Sequence, residues 1–140
     1  MHIRRGDVPK SGDFSGRAFP DSYFIGLAER IWKILPTADV HVWSNVDPFP
    51  PDAPRHWTSA DFDAYRQKGI SVHLDADGLP DGDDLVSPWA HMARARVFVM
   101  SRSSFSYVPA ILNPNCVIHP GAVDRFPEFW MLGTNEKRST

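Results

Sequence analysis

Apolar positions along this chain switch repeatedly between two periods, short continuous or alternating runs and longer stretches with helical spacing. Met1-His2-Ile3 reads as the end of a strand. Residues 8–19 are rich in Gly, Pro, Ser and Asp and read as a loop. Pro20-Asp21-Ser22 then opens a helix, with Asp21 or Ser22 as its cap. Phe24, Leu27, Ala28, Ile31, Ile34 and Leu35 form its apolar face, and Pro36 stops it. A strand over 39–45 follows, then a loop over 46–57 that carries four prolines. Thr58-Ser59-Ala60-Asp61 caps a short helix that ends near Gly69, and a strand covers 70–74.

After a loop over 75–82, the spacing predicts a helix over 83–95 with Leu85, Val86, Trp89, Met92 and Ala93 facing inward. Pro88 falls inside it, so the first turn can also start there. Val97-Phe98-Val99-Met100 is a continuous apolar strand, as in a parallel sheet covered on both faces. A helix over 103–112 tolerates Pro109 with a kink or an early end, and 116–119 is a last strand. The polar tail from about Gly133 is expected to be loose. Strands alternating with helices predict an α/β domain over 1–132, three-layered and Rossmann-like, with a mainly parallel sheet. Ile3 ends its strand almost as soon as the chain begins, so the natural domain is expected to start upstream.

Composition narrows the function classes. A length of 140 residues suits one domain with a real core. The net charge of −2, with no basic stripe, argues against nucleic acid as a partner. The single cysteine, Cys116, excludes an internal disulfide framework and reads as a small packing residue. No apolar run reaches the length of a membrane span, and no signal peptide is legible, so the compartment is undecided. His41, His73 and His119 fall one per strand without metal-ligand spacing, and no metal is expected. Trp57, Phe62, Tyr65, Trp89, Phe98 and Trp130 read as core or edge-plugging aromatics.

Candidate chemistry sits at two strand ends. His2-Ile3-Arg4-Arg5-Gly6-Asp7 sets two arginines before a glycine turn. Arginine grips phosphate through a planar fork that never loses its charge. Side chains alternate along a strand, so His2 and Arg4 share one side and Arg5 takes the other. Arg4 is thus the ligand candidate, and Arg5 with Asp7 the structural support. Far downstream, Ser101-Arg102-Ser103-Ser104-Phe105-Ser106 offers hydroxyls and free amides where a helix begins. The plain alternative is helix capping by serine, and a surface ion pair for Arg5 and Asp7. Both segments follow strands directly, so both belong to the carboxyl edge of the sheet, where such sheets bind ligands.

The first segment resembles the HxRRGD-type signature of the fucosyltransferase superfamily, and residues 95–107 are similar to its downstream SSFS element. About 95 residues separate the two, and the resemblance spans roughly Met1 to Pro120. It implies one half of a GT-B fold, the donor-binding domain, with a missing amino-terminal domain as its other half. It also implies an inverting, metal-independent transfer of fucose from GDP-fucose to a glycan or protein hydroxyl. No cofactor is implied beyond that donor. Full-length eukaryotic relatives would reside in the Golgi or ER.

Carried over by position, Arg4 matches the arginine on the donor β-phosphate and is the catalytic candidate. His2 matches a histidine near the nucleoside. Ser103, Ser104 and Phe105 match residues around the diphosphate. The acidic guanine reader would fall at Ser87 or Pro88, and Asp84, with Asp83 beside it, is the nearby candidate. Asp13 lies near the place where some relatives hold a general base. A non-catalytic nucleotide-sugar or phosphate-binding α/β module remains open as an alternative. So does an unrelated phosphate-binding or phosphatase-like protein, although GxxxxGK[ST] and Cys-x5-Arg loops are both missing.

Overall fold

The computed structural model describes residues 1–6, 8, 18–46, 57–74 and 86–120, and the backbone of 131–132. In chain order the elements are α1 (Asp21–Ile34), β1 (His41–Ser44), a 3-10 turn (Ser59–Phe62), α2 (Asp63–Arg66) and β2 (Ser71–Leu74). Then come α3 (Val86–Arg94), β3 (Val97–Val99), α4 (Ser104–Leu112), β4 (Cys116–His119) and β5 (Met131–Leu132). This is a small α/β domain with short parallel strands: β1 pairs with β2, β3 with β4, and β4 with β5, all parallel.

The N-terminal segment joins the two sets of strands. Ile3 N–H donates to the Trp43 carbonyl at 3.0 Å and Trp43 N–H to the Met1 carbonyl at 2.9 Å, a parallel bridge to β1. On its other side His2 N–H donates to the Val99 carbonyl at 2.9 Å. The spatial order is therefore β2, β1, the N-terminal segment, β3, β4, β5.

Alternation along the strands builds a core on each side of this sheet. Val42, Val99 and Ile118 join Ile3 and the α1 residues Phe24, Leu27 and Ala28, together with Phe62 and Tyr65. Phe98, Met100 and Val117 join Met92 of α3 and Ala110 of α4 on the other side, with Trp43 and Trp89 packed against them. Apolar side chains on both sides of a strand explain why β3 and β4 read as unbroken apolar runs. Asn113 locks the second layer, since its Nδ2 donates to the Met92 and Ala95 carbonyls at 2.8 and 2.9 Å and so satisfies the open end of α3.

Several expectations need correction. Ile34 and Val86, assigned to inward faces, are 79% and 71% exposed. They stand at the last position of α1 and the first of α3, where few neighbours cover them. Pro20, not Asp21 or Ser22, is the N-cap of α1, and no side chain caps it. Asp21 is instead engaged by Arg5 and Tyr65. The short helix before β2 begins as a 3-10 turn. It ends in a Schellman arrangement at Gly69, φ 77°, with Ile70 N–H to the Tyr65 carbonyl and Gly69 N–H to the Arg66 carbonyl. Pro109 stays within α4, buried. β5 is a further strand, drawn from the apolar run at 129–132. Leu85 and the tail from Gly133 lie outside the described residues.

Gly6 turns the chain out of the sheet with φ 55°, and a Cβ there would press on the Asn45 side chain. A side chain in that left-handed conformation costs roughly 1–2 kcal/mol. Gly6→Ala is expected to lower unfolding free energy in urea by about that amount while the far-UV circular dichroism stays the same.

Candidate functional site

The two segments singled out in the sequence meet. His2 is 6% exposed, and its Nδ1 lies within hydrogen-bonding distance of Ser106 Oγ and, at 3.0 Å, of Ser101 Oγ. The two hydroxyl oxygens are 3.4 Å apart, and Ser101 N–H reaches Ser106 Oγ at 3.4 Å. The His2 ring packs against Phe105 with centroids 5.0 Å apart, and Phe105 packs in turn against Trp89 at 5.6 Å. Residues about a hundred positions apart are thus fastened through one imidazole at the carboxyl ends of neighbouring strands.

Burial first, then the positive charges of the amino terminus and of Arg4, pushes His2 down to about 3. The ring is therefore neutral at physiological pH. A neutral imidazole suits this site in either tautomer, because a hydroxyl can both donate and accept.

Around this fastening the other candidates fall into distinct places. Ser103 is the N-cap of α4: its Oγ accepts from Phe105 N–H at 3.2 Å, and its own hydroxyl proton stays available to donate. Ser104 is exposed in the first turn of the same helix. Arg4 is half-buried, two residues beyond His2 and near enough to act on its charge. The first turn of α4 and Arg4 therefore share the carboxyl edge, an arrangement able to receive an anion.

Arg5 turns the other way and is 2% exposed. Its Nη2 donates to Asp21 Oδ1 at 2.6 Å, the same oxygen that accepts from Tyr65 OH at 2.7 Å. Its guanidinium lies over the Trp57 ring at 4.3 Å, and Trp57 Nε1 donates to the Val8 carbonyl. This network holds the backbone from which Arg4 projects. The acidic partner of Arg5 among the described residues is Asp21, set sixteen positions along the chain, a distance no local pattern reveals. Asp7, Asp13, Asp83 and Asp84 lie outside the described residues.

Three residues of the second segment were given no individual role in the sequence reading. Ser101 and Ser106 supply the hydroxyls that meet His2, and their place on either side of the serine pair was the available signal. Arg102, beside the cap of α4, is exposed with its guanidinium 5.0 Å from the Phe19 ring centroid, and it brings a further cation to this edge. Among the described residues no cluster of His, Cys, Asp or Glu is arranged to hold a metal ion, and no helix is long and apolar enough to cross a membrane.

Comparison of the chain with protein-family models, with curated proteins and with solved structures returns no match.

The His2 contact carries a signed pH dependence. The unfolded imidazole takes its proton near 6.5, whereas the folded one resists until about 3. Between those values the unfolded state binds more protons, so stability rises with pH and is lost on acidification. From pH 7 to pH 5 this one group should remove about 2 kcal/mol. His73, His91 and His119, also lowered by burial, act in the same direction. Urea unfolding at the two pH values should show the loss in the wild-type chain, and His2→Asn should lose about 2 kcal/mol less over the same interval. Equal slopes would remove His2 as a buried neutral group.

Proposed function

We propose that this chain is the donor-binding domain of a fucosyltransferase-like glycosyltransferase. It would hold GDP-fucose by its diphosphate and pass fucose, with inversion and without a metal, to a hydroxyl of a glycan or protein. The observation that carries this reading is the packing of His2, from the HxRRGD-type segment, against Ser101 and Ser106, from the SSFS-type segment. Two motifs that could have fallen anywhere along the sheet converge on one edge.

The strand order supports the same reading. Numbered along the chain with the N-terminal segment first, the strands run 3-2-1-4-5-6 across the sheet. This matches the order of doubly wound, Rossmann-like sheets, whose ligand crevice opens where the order reverses, outside the carboxyl ends of the first and fourth strands. Those are the N-terminal segment and β3, the elements that precede Arg4 and Ser101.

Chemically, transfer breaks the bond between the fucose anomeric carbon and the β-phosphate oxygen. The acceptor oxygen attacks from the opposite face, loses its proton to a base, and the diphosphate departs with increased negative charge. Arg4, Arg102 and the amides of the first turn of α4 can stabilise that charge more strongly in the transition state than in the bound donor. Arg5 keeps Arg4 in place rather than touching the ligand. Asp13 is the candidate base and Asp84 the candidate guanine contact.

Titration calorimetry with GDP tests this reading. GDP should bind the wild-type chain better than UDP, ADP or inorganic phosphate do. Arg4→Ala should weaken GDP at least tenfold, the loss of one charge-assisted fork. Arg5→Ala should instead lower stability by about 2–4 kcal/mol, because it empties a buried network. GDP binding unaltered by Arg4→Ala would overturn the assignment. A hydrolysis assay with GDP-fucose separates an enzyme from a nucleotide-binding module.

A further inference from the structure

The edge of the sheet opposite the proposed donor site holds a half-open cavity of about 740 Å3, a volume typical of small-molecule pockets. It opens where β1 and β3 begin, and Leu35, Trp43 and Phe98 supply apolar and aromatic wall. Arg94 and Arg96, from the end of α3 and the approach to β3, line it as well and are exposed. Neither side chain makes an ion pair or hydrogen bond with a described residue. The described carboxylate on that wall, Asp39, is already engaged by His41 Nε2 at 2.9 Å. Among the described residues, the cavity therefore carries two positive charges without an ion-pair partner beside an apolar interior.

The wall of the cavity also favours a particular kind of occupant. Around Trp43 stands a set of flat rings: His73 stacks on it at 4.2 Å, and His91, itself lining the cavity, lies at 5.4 Å. Flat rings beside an apolar wall favour a flat partner through offset or edge-on contacts. Guanidinium groups bind carboxylate and phosphate alike through paired N–H donors.

We propose that this cavity is a second ligand site, for a small organic anion with a planar apolar body and a carboxylate or phosphate at one end. The apolar body lies against Trp43 and Phe98, and the anionic end meets Arg94 and Arg96. The site is separate from the diphosphate site at the carboxyl edge and does not depend on it.

The test uses the full chain with naphthalene-2-carboxylate, 2-naphthyl phosphate and uncharged 2-naphthol as probes. Binding is read from the imidazole proton resonances of His41 and His91, which line the cavity. At least one anion should shift both resonances saturably and more tightly than 2-naphthol. Whichever anion binds tighter names the preferred headgroup. The exposed pair Arg94→Gln/Arg96→Gln should weaken that binding about tenfold, as loss of a charge-assisted contact implies, with the thermal midpoint little changed. Saturating GDP should leave the anion affinity unaltered, and a chain that fails to bind GDP should still bind the anion. The proposal falls if neither anion shifts the two histidines, if 2-naphthol binds as tightly, or if the double variant binds as well as the wild type.

Discussion

One buried imidazole joins the two halves of the candidate site. His2 lies between a strand-end segment carrying two arginines and a helix start carrying hydroxyls, and its Nδ1 is shared by Ser101 and Ser106. Its burial keeps the ring uncharged. Burial disfavours a protonated ring first, and the nearby positive charges of the amino terminus and Arg4 add to this, so its proton affinity is low. The geometry of the site and the neutrality of one histidine are therefore a single constraint.

Arg5 imposes a second constraint, on the same few residues but from the other side of the sheet. Buried guanidinium groups are tolerated when their donors are answered, and here the Arg4 carbonyl, Asp21 and the face of Trp57 answer them. With its neighbour pinned this way, Arg4 projects from a backbone that has little freedom left. Under the proposed donor-binding role, less ordering would be required when a diphosphate arrives, which would favour affinity.

Much of the fold was legible because apolar period and burial agree. Helix 21–34, the two central apolar strands and the helix from Ser104 follow from spacing alone, since each has a continuous face turned to a core. Element ends were less legible: Ile34 and Val86 fit the period but stand where no layer covers them. The two-residue β5 was missed because so short a run has no period to detect. Within the site, Arg5 is buried on the α1 side with Asp21 as its partner. That Arg5 pairs with Asp21, whose oxygen also accepts from Tyr65, and that His2 meets the two hydroxyls, could not be read from any local spacing. These contacts arise from tertiary approach of segments far apart in the chain.

The N-terminal segment has a mechanical consequence. It is the seam of the sheet, attached to β1 through Trp43 and to β3 through the His2 amide, and its bonds are few. Separating the strands at that seam would also pull Arg4 away from the helix that begins at Ser104. Local opening and loss of the crevice are thus one event, and amide hydrogen exchange at His2 and Ile3 would time it. A ligand bridging the crevice would act as a clasp across this seam, so occupancy would be felt as slower exchange in strands the ligand never touches.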